Sequence, residues 1–135
     1  VDVYWGAGTE AFPTNLYLGD TGSDPYGVVA GDFDNDGNDD IIANEGSGGA
    51  AYLWTGNGDR TITYIGPVAS LDFNNNGCYD AYDFNGDGDL DIVAVNYSGR
   101  RVYYYSGNGD GTFGTALEIG STSSNTLGLS AEPIG

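Results

Sequence analysis

The chain has 135 residues, enough for one modest domain. It carries 20 acidic residues against three arginines, with no lysine and no histidine, for a formal net charge of −17. This balance excludes the basic surface that nucleic-acid binding requires, disfavours anionic membrane surfaces, and removes His-based triads, zinc sites and general bases.

No apolar run approaches the roughly 18 residues of a membrane span, so no membrane insertion is expected. Glycine numbers 24, yet 39% of residues are apolar and 11 are tyrosine. Disordered acidic chains lack such aromatics, so the composition reads as a folded, turn-rich β protein. Cys78 is the single cysteine, which excludes an internal disulfide, and with no base to activate it a small buried hydrophobe is expected. Residue 1 is Val, and the pattern is already running there. A removed leader or a piece of a longer protein is the expectation.

In chain order, residues 1–27 read as a partial unit around VYWGAGTEAF from Val3. Residues 28–66 hold four strand-like runs, at 28–33, 40–44, 51–55 and 61–65. Residues 67–120 hold a linker and four more, at 80–84, 90–96, 101–106 and 115–119. Residues 121–135 leave room for one further strand, at 127–134. The runs are β-branched or aromatic and lie between Gly, Asn and Asp turns. GNGD at 56–59 and again at 107–110 is hairpin chemistry, because Asn and Gly accept positive φ. No stretch sustains a 3.6-residue apolar period, so no helix is expected.

The units repeat. Trp5, Trp54 and Tyr105 recur 49 and 51 residues apart, and Asp32 and Asp83 are also 51 apart. A period of about 50 suits one propeller blade. Ile41-Ile42-Ala43 and Ile92-Val93-Ala94-Val95 are apolar on both faces, as when blades cover each other. The fold class is therefore all-β, with about 2.7 four-stranded antiparallel blades of a β-propeller. Propellers generally close with at least about four blades. Other copies of the chain, or the rest of a longer parent chain, are the expected partners.

The acidic loops between first and second strands carry the chemistry. DFDNDGNDD places Asp32, Asp34, Asp36 and Asp40 at positions 1, 3, 5 and 9, with Gly37 at 6 and Asn38 at 7. DFNGDGDLD places Asp83, Asn85, Asp87 and Asp91 at the same positions, with Gly88 at 6 and Asp89 at 7. Alternate side chains turned inward, with the position-7 backbone carbonyl and water, make the oxygen shell that Ca2+ prefers. Magnesium suits it less, since it resists dehydration and wants a tighter octahedron. An EF-hand would need an acidic residue at position 12 and flanking helices. Position 12 is Ala43 or Ala94, and a strand follows at once. Two ions per chain are expected. A third, weaker site is open at DFNNNGCYD, with Asp72, Asn74, Asn76 and Asp80; an ordinary inter-blade loop is the blander reading there.

Loop, apolar strand and GNGDGTF hairpin, in this order, resemble the FG-GAP/VCBS repeat of integrin α-subunit-like β-propellers. The resemblance implies calcium at the loop joining a blade's first two strands, with Asp32, Asp34, Asp36, Asp40, Asp83, Asn85, Asp87 and Asp91 at liganding positions. Asn85 departs from the pattern, as does Arg60 where the later hairpin has Gly111. The resemblance implies a secreted or cell-surface module for adhesion or recognition of a protein or glycan ligand. A structural subunit that completes its blades between chains is the alternative.

Trp5, Trp54 and Tyr105 are expected to pack between blades, and at least one ring of Tyr103–Tyr105 to be exposed. Asn96-Tyr97-Ser98 is a glycosylation sequon. Catalysis on glycosides by paired carboxylates is not expected, because the clustered Asp already have a metal-site role and no His or Glu supports them.

Overall fold

The computed structural model describes residues 2–4, 15–17, 27–44, 49–72, 78–96, 99–123 and 130. Among them every regular element is a strand. β1 (Asp2–Tyr4) and β2 (Asn15–Tyr17) pair antiparallel, with Val3 opposite Leu16. β3 (Val28–Gly31), β4 (Asp40–Asn44), β5 (Ala50–Gly56) and β6 (Ile62–Asp72) form a four-stranded antiparallel sheet in sequence order. β7 (Tyr79–Tyr82), β8 (Asp91–Asn96), β9 (Arg101–Tyr105) and β10 (Leu117–Ser121) form a second. The two meanders are the all-β propeller blades that the repeat implies. No helix of the described residues is long and apolar enough to cross a membrane. The strand expected at 127–134 falls almost wholly outside the described residues.

The strands form where alternating or continuous apolar residues can be covered. Ile42 faces its cross-strand partner Leu53, and Ile41 faces Trp54, so the two sides of β4 each have an apolar layer. One layer, with Phe33, Ile42, Ala51, Leu53 and Leu71, packs on Tyr79, Ile92, Ala94, Tyr105 and Phe113 of the second blade. The other, with Ile41, Ala43 and Trp54, packs on Val3 of β1. Central strands are thus buried on both faces, as their apolar runs require. Each fully buried Ile or Leu contributes roughly 1.5–3 kcal/mol.

Trp54 and Tyr105 are buried between blades, while Trp5 lies outside the described residues. Tyr103 and Tyr104 are half-buried rather than exposed, because Tyr103 packs against the inter-blade core and Tyr104 lies 6.4 Å from Phe84. Cys78 is half-buried rather than buried.

β6 is longer than its sequence suggests. Gly66 and Pro67 read as the end of a strand, yet β6 continues to Asp72, opposite Ala50. It is an edge strand, where proline needs no ladder partner, and two register shifts against β5 absorb the irregularity, with Gly66 at φ 128°.

Both GNGD hairpins use the left-handed region twice. Gly109 and Gly111 have φ of 67° and 77°; their first-blade counterparts Gly58 and Arg60 have 73° and 69°. Arg60 therefore holds a glycine conformation with a side chain. Arg60→Gly relieves that strain, partly offset by the freedom gained in the unfolded chain, and should stabilise the protein by about 1 kcal/mol. Gly111→Ala should destabilise it, since the added methyl meets Leu53 Cδ2 at 3.0 Å in the same disfavoured conformation. Urea denaturation of both variants checks the pair of signs.

Candidate metal centre

Each acidic loop begins where a first strand stops and ends on the first residue of the second strand. In the first, Asp32 curls the backbone back over its own carboxylate: Oδ1 accepts the amide of Asp36 and Oδ2 that of Gly37, both at 3.0 Å. Asp34 accepts the Asp36 amide at 3.2 Å. Asp36 Oδ1 accepts the Asn38 amide at 2.8 Å and its side-chain nitrogen at 2.9 Å. The second loop repeats the pattern. Asp83 accepts Gly86 at 2.7 Å, Asp87 at 3.2 Å and Gly88 at 3.0 Å. Asn85 Oδ1 accepts the Asp87 amide, and Asp87 Oδ1 that of Asp89. Asn85 Nδ2 donates to Asp87 Oδ2 at 2.8 Å.

This curl needs positive φ at positions 4 and 6. Asn35 and Gly37 have φ of 59° and 90°, and Gly86 and Gly88 have 80° and 96°. Position 6 is the glycine expected from the sequence. Position 4 was not singled out; its signal is that Asn and Gly, the residues most tolerant of this region, alternate there.

Position 9 differs most from the expectation of a simple ligand. Asp40 and Asp91 are both fully buried. Asp40 Oδ2 accepts the Phe33 amide at 3.0 Å and Oδ1 the Gly56 amide at 2.9 Å. Asp91 does the same with Phe84 and Gly107, both at 2.9 Å. One carboxylate thus fastens the loop's start, the second strand and the hairpin beyond β5 or β9. Burial pushes the Asp40 carboxyl up, the Gly56 and Phe33 amides pull it back, and Asp34 and Asp36 add to the rise.

The hairpin lies directly on the loop. A methyl at Gly56 would meet the Asp39 carbonyl oxygen at 2.3 Å, and one at Gly107 the Leu90 carbonyl oxygen at 2.3 Å. At Gly58 it would meet Asn38 Oδ1 at 2.5 Å, and at Gly109 Asp89 Oδ1 at 2.4 Å. The repeated GNG is thus required by close packing as well as by turn chemistry. Asp59 and Asp110 finish the hairpins. Each is held below the usual carboxylate range by the hydroxyl and then the amide of Thr61 or Thr112.

The two loops also touch. Asn35 Nδ2 donates to Asp89 Oδ1 at 2.6 Å, and the Gly111 amide donates to the Phe33 carbonyl at 2.9 Å. The rings of Phe33 and Phe113 meet edge-on, with centroids 5.8 Å apart.

Oxygens of Asp32, Asp34 and Asp40 lie within 4.8 Å of one another, which is the one such carboxylate group among the described residues. Each accepted amide leaves lone pairs free, so the donor set fits a hard, oxygen-seeking cation. In the second loop Asn85 replaces the position-3 carboxylate, leaving Asp83, Asp87 and Asp91.

Of the weaker candidate, Asp72 ends β6 and Asp80 lies in β7 opposite Val93, with Oδ1 accepting the Ala81 amide. These strands edge different sheets, unlike the two loops, each of which joins neighbours in one sheet. Asn74 and Asn76 lie outside the described residues. Asn96 ends β8, half-buried, with Oδ1 accepting the Gly99 amide at 2.6 Å; Tyr97 and Ser98 lie outside the described residues.

Residues 83–133 match the family model of the FG-GAP-like repeat. The chain carries an FG-GAP-like repeat. The match begins at Asp83, position 1 of the second loop, and includes the hairpin at 107–113. The first blade, outside the matched range, repeats the second blade's order of loop, strand and hairpin and its buried aspartate. No curated protein and no solved structure gives a match.

Asp40→Asn turns one amide acceptor into a donor facing a buried N–H and should cost about 2–3 kcal/mol in chemical denaturation, against less than about 0.5 kcal/mol for exposed Asp39→Asn. Thr112→Val should raise the titration midpoint of Asp110 towards the ordinary carboxylate range, read by NMR. Because the folded midpoint is depressed, this hairpin's contribution is present above the unfolded value near pH 3.9 and is lost as pH falls through the folded one.

Proposed function

We propose that the chain is a calcium-binding FG-GAP-type β-propeller module of an extracellular protein, serving adhesion or recognition of a protein or glycan ligand. The convergence of Asp32, Asp34 and Asp40 in a loop of FG-GAP type carries this reading. Asp32, Asp34, Asp36 and Asp40, with the Asn38 carbonyl, hold one ion. Asp83, Asn85, Asp87 and Asp91, with the Asp89 carbonyl, hold a second. The ion supplies positive charge at a point where carboxylates otherwise repel one another. Two ions take the formal charge from −17 to −13.

Calcium is structural in this reading, and the chain is not an enzyme. The carboxylates at positions 1 and 9 of the first loop already accept backbone amides, which supports a structural role for them. The acidic, lysine-free surface and the FG-GAP repeat, which occurs in extracellular proteins, support secretion or display at the cell surface.

Melting curves with calcium and with chelator test the proposal. An ion at 100 times its dissociation constant adds roughly 2.7 kcal/mol to the native state, so the wild type should melt higher in calcium. Asp36→Ala should lose part of that gain and change little in chelator, and Asp39→Ala should keep it. Equal melting temperatures for the wild type in both conditions would sink the reading.

A further inference from the structure

The two acidic loops are joined across the seam between the blades, and the joints lie beside the groups assigned to calcium. Asn35, at position 4 of the first loop, stands between Asp34 and Asp36 in the chain. Its backbone holds φ 59°, inside the curl that the Asp36 amide closes on Asp32 and Asp34. From there its side chain donates to Asp89 Oδ1 at 2.6 Å. Asp89 is position 7 of the second loop; its amide donates to Asp87 Oδ1 at 2.9 Å, and its carbonyl is the one assigned to the second ion. One side-chain bond therefore connects a residue bracketed by two ligands of the first site to a ligand of the second.

A second joint runs beside it. Asp40, at position 9 of the first loop, accepts the Phe33 amide, and the Phe33 carbonyl accepts the Gly111 amide at 2.9 Å. Gly111 belongs to the hairpin that Asp91, position 9 of the second loop, holds through Gly107. The same hairpin walls the first joint, since a methyl on Gly109 would overlap both Asp89 Oδ1 and Asn35 Nδ2. The seat of Asn35 thus depends on the curl of both loops.

We propose that the two calcium loops bind cooperatively, each ion raising the affinity of the other loop through the Asn35–Asp89 bond. This coupling rests on the calcium reading of the two loops. An empty loop concentrates like charge, which opposes the curl. An ion in the first loop closes the curl, seats Asn35 and so fixes Asp89 and its carbonyl before the second ion arrives. The second loop then has less of its own backbone to order, which is the source of the gain. The first loop gains by the same factor when the second fills, because linkage is reciprocal. Repulsion between the ions acts the other way, but between exposed loops it is screened beyond about 8 Å at physiological salt. Position 4 of the second loop is Gly86, at φ 80°, so a loop of this type keeps its curl with no side chain there. Asn35→Gly therefore removes the joint and spares the loop.

Calcium titration of the intact chain, followed site by site through the Gly37 and Gly88 amide resonances, tests the proposal. Each of these amides donates to the position-1 carboxylate of its own loop. In the wild type both should shift together, over a narrower calcium range than independent sites allow, and Asn35→Gly should broaden that range. Asp36→Ala, which takes a ligand from the first loop, should weaken binding at the second at least about fivefold, and Asp87→Ala should weaken the first by the same factor. In an Asn35→Gly background, Asp36→Ala should leave the second loop unchanged. Circular dichroism verifies that each variant is folded. Loop affinities that ignore the state of the other loop, tighter binding at the second loop on loss of Asp36, or coupling that survives Asn35→Gly would each overturn the proposal and leave two structural ions standing. An ion at one loop alone would overturn it as well. Absence of calcium binding at both loops would overturn the calcium reading itself, and the coupling with it.

Discussion

A buried aspartate at the start of each second strand is the constraint on which the rest of the molecule depends. Asp40 and Asp91 give up hydration, which costs several kcal/mol for a carboxylate, and each accepts two backbone amides in its place. Those amides come from chain segments that local structure would not bring together: the loop just after the first strand, and the turn just after the third. The side chain has to be short, anionic and double-ended to reach both. Once it is in place, the hairpin lies against the loop's backbone, and only glycine fits at 56 and 107. The acidic residues ahead of it then occupy a curl whose shape is already set.

The inter-blade contact follows from that geometry. Because the hairpin sits on its own loop, its far side is presented to the loop of the preceding blade, and Gly111, Phe113 and Asp89 meet Phe33 and Asn35 there. The junction combines a backbone hydrogen bond, an aromatic pair and one amide–carboxylate bond, beside the larger apolar layer of Ile42, Leu53, Ile92 and Tyr105. The apolar layer supplies most of the attraction, and the polar contacts set the register.

The sequence made the blades legible through β4 and β8, whose apolar residues run without alternation and so had to be covered on both sides. It made the loops legible through acids at odd positions followed by glycine. It did not reveal the second task of Asp40 and Asp91, because the same spacing serves a metal ligand and an amide acceptor alike; only three-dimensional proximity to Gly56 and Gly107 separates them. The length of β6 was hidden behind Gly66-Pro67, a pair that ends most strands but is tolerated at an edge. Positive φ at Arg60 was unreadable from its residue type and visible only by analogy with Gly111.

The bond between Asn35 and Asp89 also bears on how such repeats can diverge. Residue 35 must suit the left-handed backbone of its own loop and also fit between Asp89 and Gly109 of the next blade. A change there is therefore answerable at positions 54 and 74 residues further along the chain, and at none of its immediate neighbours. Selection then acts on the seam between two blades as one heritable unit. Shuffling a single blade out of its row separates residues that had been adjusted to one another, so family members should exchange adjoining blades together more readily than blades one at a time.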